Sequence, residues 1–360
     1  MPLNPRFNDK EQPLVSLLIF NYNYGRYLRE CFDSALAQTY DNIEILFSDN
    51  ASTDESWEIA LEYQQRYPDI VFVARNRLNF GSDANIMNCF INARGKYFVE
   101  LCSDDALLPD FTKTCVEALE SNTDAAFAMV HRTIIDHHGN HVEEAPFYNE
   151  TCKIPGDEQA AVYMMAAVNP SVTQIMYRKL MTAGKSIGGF AGRYYTTRIM
   201  DFNICCEFPI IYVKEPLMLH RLHLKNDSFN AAANLMEVMG PYMLLFQFVD
   251  MASVFNIQKA VNRLPAAIEK NSRLALRYCV RDLISGNERN ALRYFHLSAA
   301  IFPEIVEDSV YAQLAAYWLA DSVEKQRLIT GFVAEENFVT RSLSYDPPPG
   351  SIPLPLNSRT

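Results

Sequence analysis

Basic residues are in short supply. Against 43 Asp and Glu stand only 32 Lys and Arg in 360 residues, a formal net charge of −11. A general nucleic-acid binder needs a concentrated basic surface for its phosphate contacts, so that class is set aside. An acidic chain can still take a phosphorylated small molecule through a metal ion. Eight cysteines are scattered from Cys31 to Cys279 without a CxxC spacing, and the opening MPLNPRFNDKEQ lacks the apolar core of a signal peptide. Free thiols in a reducing cytoplasm are expected. No apolar run is long and clean enough for a bilayer span. The most apolar stretch, PYMLLFQFVDMASVFNI at 241–257, is broken by Gln247, Asp250 and Asn256 and reads as a buried core helix. The first strand leads into NYNYG, which is neither a GxGxxG turn nor a GxxxxGK(S/T) loop, so the dinucleotide fingerprint and the Walker loop are both absent.

What is present fits a globular protein of about two domains, 49% hydrophobic and 21% charged. Strand-length apolar runs at 14–20, 43–47, 70–74 and 97–102 alternate with helical patterns at 27–37, 57–67 and 83–93. This spacing predicts a βαβαβαβ unit with a largely parallel sheet. Ala126–Val130 followed by the turn-rich His137-His138-Gly139-Asn140 suggests a hairpin, and 143–158 reads as loop. Short strands are expected at 173–177 and 210–213, separated by the glycine-rich GKSIGGFAGR at 184–193. From about residue 231 strand signals vanish and helical periodicity runs to about 340; one helix pair near 290–303 is tetratricopeptide-like, but an ordinary bundle is expected. The PPPGSIPLPL segment at 347–356 reads as extended or disordered. The expected organisation is 1–230, an α/β domain; 231–342, a helical region; and 343–360, a proline-rich tail.

Chemistry concentrates at LCSDDALLPD, 101–110, where Asp104 and Asp105 end a buried strand. In open α/β sheets ligands sit outside the carboxyl ends of the strands. Adjacent carboxylates repel and resist desolvation, so a cation or basic side chain is expected beside them. Taken alone, the pair reads equally well as the cap of the next helix.

The run VSLLIFNYNYGRYLRECFDSALAQTYDNIEILFSDNASTDES at 15–56, continued by RNRLNFGSDANIMNCFINARGKYFVELCSDDALLPD at 75–110 and more loosely by YVKEPLMLHRLHLKNDS at 212–228, resembles family 2 glycosyltransferases. These are inverting enzymes of GT-A fold, and the likeness covers about the first two thirds of the chain. It implies a GT-A-like, mostly parallel sheet flanked by helices, followed by the C-terminal all-helical region. It also implies a nucleotide-sugar site holding Mn²⁺ or Mg²⁺. The family's Asp-x-Asp aligns with Cys102-Ser103-Asp104. Asp104 then keeps the metal-ligand role, Asp105 orients water, ribose or sugar hydroxyls, and Cys102 is read as a small buried hydrophobe.

The same resemblance assigns the remaining candidates. Asp49 would accept the N3–H of uracil or thymine, which cytosine lacks. Asn21 and Tyr22 would contact the base, Tyr22 offering a stacking face. Asn79, Gly81 and Asn85 would lie near the nucleotide or diphosphate, although Gly81 also suits a turn. Arg75 is weighed as a phosphate partner against the commoner solvated arginine. In HRLH, Arg221 would pair with phosphate, and His223 would complete the metal shell or donate to the leaving phosphate. Inversion needs a base for the acceptor hydroxyl. Asp201 takes that place, with Glu207 and Asp105 as rivals.

The expected function is transfer of a sugar from a UDP- or dTDP-sugar to a glycan or lipid-linked hydroxyl in polysaccharide or glycan assembly. The setting would be the cytoplasm or the inner face of the membrane. Peripheral membrane or homo-oligomer contact through the helical region is left open. The alternative, prompted by Cys102 and Met200 where the family carries acids, is a non-catalytic nucleotide-sugar-binding or scaffolding protein.

Overall fold

The computed structural model describes residues 12–166, 168–183, 196–223, 232–335 and 343–355. Its first part alternates as the apolar runs require: β1 (Val15–Asn21), α1 (Gly25–Leu36), β2 (Ile43–Asp49), α2 (Ser56–Arg66), β3 (Val71–Arg75), α3 (Ser82–Asn92) and β4 (Tyr97–Cys102). Then come β5 (Ala106–Leu107), α4 (Phe111–Ser121), β6 (Phe127–Ile135), β7 (His141–Val142), β8 (Cys152–Ile154), α5 (Gly156–Met164), β9 (Ile175–Arg178), α6 (Thr196–Cys205) and β10 (Ile210–Arg221). All the strands belong to one sheet of order β11-β8-β10-β6-β9-β4-β1-β2-β3, with β5 on β10 and β7 on β6; β11 (Ile352–Pro353) closes the far edge.

Direction along this sheet decides where the site lies. β1, β2, β3 and β4 pair in parallel, β9 is antiparallel to both β4 and β6, and β6 and β10 are parallel. Two reversals restore the original direction. The carboxyl ends of β1, β2, β4, β6 and β10 therefore share one edge, which brings Asn21, Asp49, Cys102 and Arg221 together from distant parts of the chain.

Alternation along each strand splits the core in two. Leu17, Ile19, Ile45, Phe47, Val99 and Leu101 face α1, α2 and α4. Leu18, Leu46, Phe98, Phe127, Tyr177 and Tyr212 face the opposite layer, where α5 and α6 lie. That second layer also takes in the start of the helical region: α7 (Met236–Val254) buries Leu244, Leu245, Phe248 and Ala252 there, and Phe248 stacks on Phe202 at 4.1 Å. Such a ring pair adds ~1 kcal/mol to its area burial. Residues 241–254 are thus helical and bury one face in the core, as the broken apolar run predicts, with Phe255 capping the helix. Further on, α8 (Gln258–Val261), α9 (Leu264–Ile284), α10 (Glu288–Ile301), α11 (Ser309–Leu319) and α12 (Ser322–Glu335) follow. From α9 onward they build a third core around Leu276, Val280, Tyr294 and Tyr317. No described helix is long and apolar enough to cross a membrane.

Three segments differ from the sequence reading. The expected loop 143–158 contains β8 and the start of α5, because a three-residue strand is too short to show alternation. β10 extends eight residues beyond the expected 210–213 through a register shift at Pro216, which interrupts the apolar pattern. In the proline-rich tail, extended as its composition predicts, Ile352 and Pro353 pair antiparallel with Lys153 and Cys152 of β8 instead of being left disordered. The glycine-rich 184–193 lies outside the described residues.

Candidate active site

Two polar clusters occupy the shared edge, and a third lies under it. The first joins the ends of β1 and β2. Asp49 is fully buried: its Oδ1 accepts from Asn21 Nδ2 at 3.2 Å, and its Oδ2 from the Ser52 N–H at 3.0 Å. Arg75 Nε lies 3.1 Å from the same Oδ2, with the guanidinium over the Trp57 ring. Arg75, weighed as a phosphate partner, is instead the counter-ion of Asp49. Asn21 is itself buried, whereas Tyr22 beside it is 42% exposed.

Asn85 ties this cluster to α3. Its Nδ2 donates to the carbonyls of Asn21 and Ser48, and its Oδ1 accepts from Ser48 Oγ at 2.7 Å. Asn79 Oδ1 accepts from Asn50 Nδ2 and from the Gly81 N–H. Gly81 has φ +88°, a backbone region costly for any residue with a Cβ, which settles why glycine stands there. Asn76 and Asn88 complete the network, bonded to each other at 2.8 Å and, through Asn76, to Asn50 and Asn85. Sequence reasoning missed Asn50, Asn76 and Asn88. For Asn76 and Asn88 the signal was the density of asparagine between 76 and 92 in an otherwise apolar helix pattern.

The second cluster follows β4, and there Asp104 and Asp105 part company. Asp105 is buried and accepts from Thr173 Oγ1 at 2.8 Å and the Arg221 N–H at 3.0 Å, and it faces His220 Nδ1 at 3.1 Å. Against the upward push of burial, His220, the Arg221 N–H and Thr173 hold its carboxyl below the ordinary value. Asp104 stands nearer the surface, its Oδ2 3.1 Å from His223 Nε2. Burial pushes the Asp104 carboxyl up against the pull of His223, and the Asp105 charge adds to the rise. His223 is fixed by stacking on Tyr27 at 5.0 Å.

Arg221 does not reach toward open space. Its Nε donates to the Asp104 carbonyl at 3.0 Å, its Nη2 to Glu30 at 2.6 Å, and its guanidinium covers the Tyr27 ring. In this arrangement it clamps the turn that presents Asp104.

Donor atoms of Cys102, Asp104 and Asp105 lie within 4.8 Å of one another. The Cys102 thiol is pushed well up by burial and by the neighbouring carboxylates, which disfavours a thiolate ligand. With Asp105 committed to its donors, Asp104 and His223 are the pair fitted to hold a divalent cation. Carboxylate and imidazole together suit a first-row ion better than Ca²⁺.

The third cluster lies in the core beneath α6. Asp201 is fully buried, accepting from Tyr177 Oη at 2.6 Å and pairing with Arg198 Nη1 at 2.8 Å. Burial pushes its carboxyl up, against Arg198 and Tyr177. Glu100, on the β4 face shared with Phe98 and Cys102, is buried nearby and pushed up to about 7 by desolvation and the Asp201 charge. The sequence reading left Glu100 out. A charged residue at a core position of a buried strand was the available signal.

A model of glycosyl transferase family 2 matches residues 16–179. An uncharacterized glycosyltransferase of Nostoc sp. is 34% identical over 225 residues, 61% of this chain and 68% of that protein. Chondroitin synthase of Escherichia coli is 33% identical over 133 residues, 36% of this chain but only 19% of that enzyme. Among solved structures, TarS 1–349 of S. aureus superposes with a TM-score of 0.50 at 12% identity, covering 91% of this chain and 93% of that one, a likeness of fold alone. The mixed, mostly parallel sheet with its C-terminal helices is thus GT-A-like, and the chain belongs to glycosyltransferase family 2.

Proposed function

We propose that the chain is an inverting, metal-dependent transferase that passes a sugar from a UDP- or dTDP-sugar to a hydroxyl acceptor. The observation that carries this reading is the Asp104–His223 pair. Two good ligands, 119 residues apart in sequence, meet at the strand edge with a 3.1 Å separation. Bound there, Mn²⁺ or Mg²⁺ would neutralise charge developing on the departing diphosphate. Asp105 and Arg221 hold the turn so that Asp104 stays presented. Asp49 reaches a uracil or thymine N3–H through its second Oδ1 lone pair only when the buried Asn21 side chain moves aside, and the exposed Tyr22 ring offers the base a stacking face. Asn79, Gly81 and Asn85 shape the loop bordering the nucleotide.

Asp201 is the candidate base in this reading. It reaches an acceptor proton only when Tyr177 or Arg198 gives way, since a base must come within hydrogen-bond reach of the proton it takes. The donor half corresponds to residues 1–230, with the helical region 231–342 serving acceptor or partner recognition. Glycan assembly on a polysaccharide or lipid-linked acceptor, in the cytoplasm or at the inner face of the membrane, is the setting this reading takes, with the partial likeness to chondroitin synthase supporting only the polysaccharide. A non-catalytic sugar-nucleotide-binding protein is the second reading, favoured by the closure of Tyr177 and Arg198 over Asp201.

The test is release of UDP and dTDP from a panel of nucleotide sugars, with and without Mn²⁺, by wild type, Asp104→Asn and Asp201→Asn. Metal-dependent turnover lost in both variants supports the transferase. Donor binding without turnover, even with a full acceptor panel, favours the second reading, and binding of no donor overturns the site.

A further inference from the structure

A cavity of about 440 Å³ opens between α5, α7 and α9, away from Asp104 and His223. Its walls are apolar, with Val168, Leu244, Leu245 and Phe248 among them. Its floor is not. Arg198 and Tyr163 line it and are each more than nine-tenths buried, yet among the described residues neither Arg198 Nη2 nor the Tyr163 hydroxyl has a hydrogen-bond partner. Buried donors without acceptors cost free energy in a native interior, so unmet ones facing a cavity point to a polar group that enters from outside.

The charges around the cavity say which group. Arg198, Lys270, Arg273 and Arg277 line it, against a single lining acid, Glu237, and Arg198 is paired through Nη1 with Asp201 behind it. Arg273 is answered by Glu269 and Asp308. Lys270, exposed at the mouth, has Met165 O as its bonded partner at 2.6 Å, a neutral carbonyl. In a chain of net charge −11 such a cationic lining is against the average. The volume is that of a small-ligand site, predominantly apolar with a few convergent polar groups.

We propose that this cavity binds a small amphipathic anion, its apolar body against Leu244, Leu245 and Phe248 and its carboxylate or phosphate head met by the cations Arg198 and Lys270. Tyr163 donates a further hydrogen bond to the head or to an oxygen beside it. The site takes no part in donor binding and stands or falls independently of the role given to Asp104, although it shares Arg198 with Asp201.

Calorimetric titration of the full chain with octyl phosphate, with 1-octanol as the headless control, tests it. Octyl phosphate should saturate one site, octanol should bind at least ~10-fold more weakly, and Lys270→Glu, a surface change that leaves the fold intact, should weaken octyl phosphate ~10-fold. Leu245→Trp, filling the cavity, should abolish binding with its thermal midpoint checked alongside. Co-sedimentation with phosphatidic-acid vesicles that is lost in Lys270→Glu would assign the anion to a lipid headgroup; titration without co-sedimentation would assign it to a free ligand. Equal affinity for octanol and octyl phosphate, or wild-type affinity in Lys270→Glu, overturns the proposal.

Discussion

β4 feeds two acidic clusters that solve the same problem in opposite ways. At its carboxyl end, Asp104 and Asp105 are supplied with separate partners: Asp105 has Thr173, His220 and a backbone N–H, and Asp104 has His223. Four residues earlier, Glu100 shares the field of one guanidinium, Arg198, with Asp201. The first cluster holds the Asp105 charge through hydrogen bonds, while burial raises Asp104 at its more open end. The second, with two carboxyls and one cation in the core, relieves its excess by raising proton affinity. A carboxylate pair at a sheet edge is therefore a site that a cation can complete, and a carboxylate pair in the core is one that a proton completes.

Breaking the core cluster should have the largest effect. Asp201→Ala leaves Arg198 buried without its partner and should cost ~3–5 kcal/mol in denaturant unfolding. A loss below ~1 kcal/mol would mean that the pair is solvated in the native state. Glu100→Gln should do the reverse. Its carboxyl goes from 4.5 to about 7 on folding, so the native state binds the extra proton, and this contribution is present in full below about pH 4.5 and lost as pH rises through 7. The variant should gain up to ~3 kcal/mol at pH 8 and nearly nothing at pH 4.5. A pH-independent difference would contradict the shared-cation account.

At the edge cluster the expectation inverts: function goes and stability stays. Asp104→Asn should lower metal-dependent donor turnover ~100-fold or more while shifting the unfolding free energy by under ~1 kcal/mol. The smallest effect sharpens the contrast with a cluster that carries no net excess of acid. Asn85→Ala removes four hydrogen bonds from the asparagine network and should cost ~1–2 kcal/mol at all pH values. A pH-dependent loss would show that the network is coupled to Asp49.

What could be read in the sequence follows from how local each cause is. β1 through β4 and their helices are legible because apolar period and turn residues act within a dozen positions. The common edge is legible too, because parallel crossover connections dictate it. The use of lone pairs is not: HRLH does not disclose that Arg221 spends its guanidinium on the Asp104 carbonyl and Glu30 instead of facing outward. Asp201 shows the same limit. Its partner Tyr177 comes from β9, whose pairing with both β4 and β6 depends on contacts across the whole domain. Likewise β8 and β11 owe their existence to each other and to β10, since strands of three and two residues carry no pattern of their own.

That last pairing has a consequence for how the protein behaves in a crowded solution. A free edge on β8 would offer unpaired backbone groups to any passing strand, the first step of aggregation. β11 covers part of it, and it does so with Pro353, a residue that has no N–H to give the next chain. Pro348 and Pro355 flank it on either side. The segment that looks least structured by composition thus terminates an eleven-stranded sheet, and colloidal solubility at high concentration is where its removal should be felt.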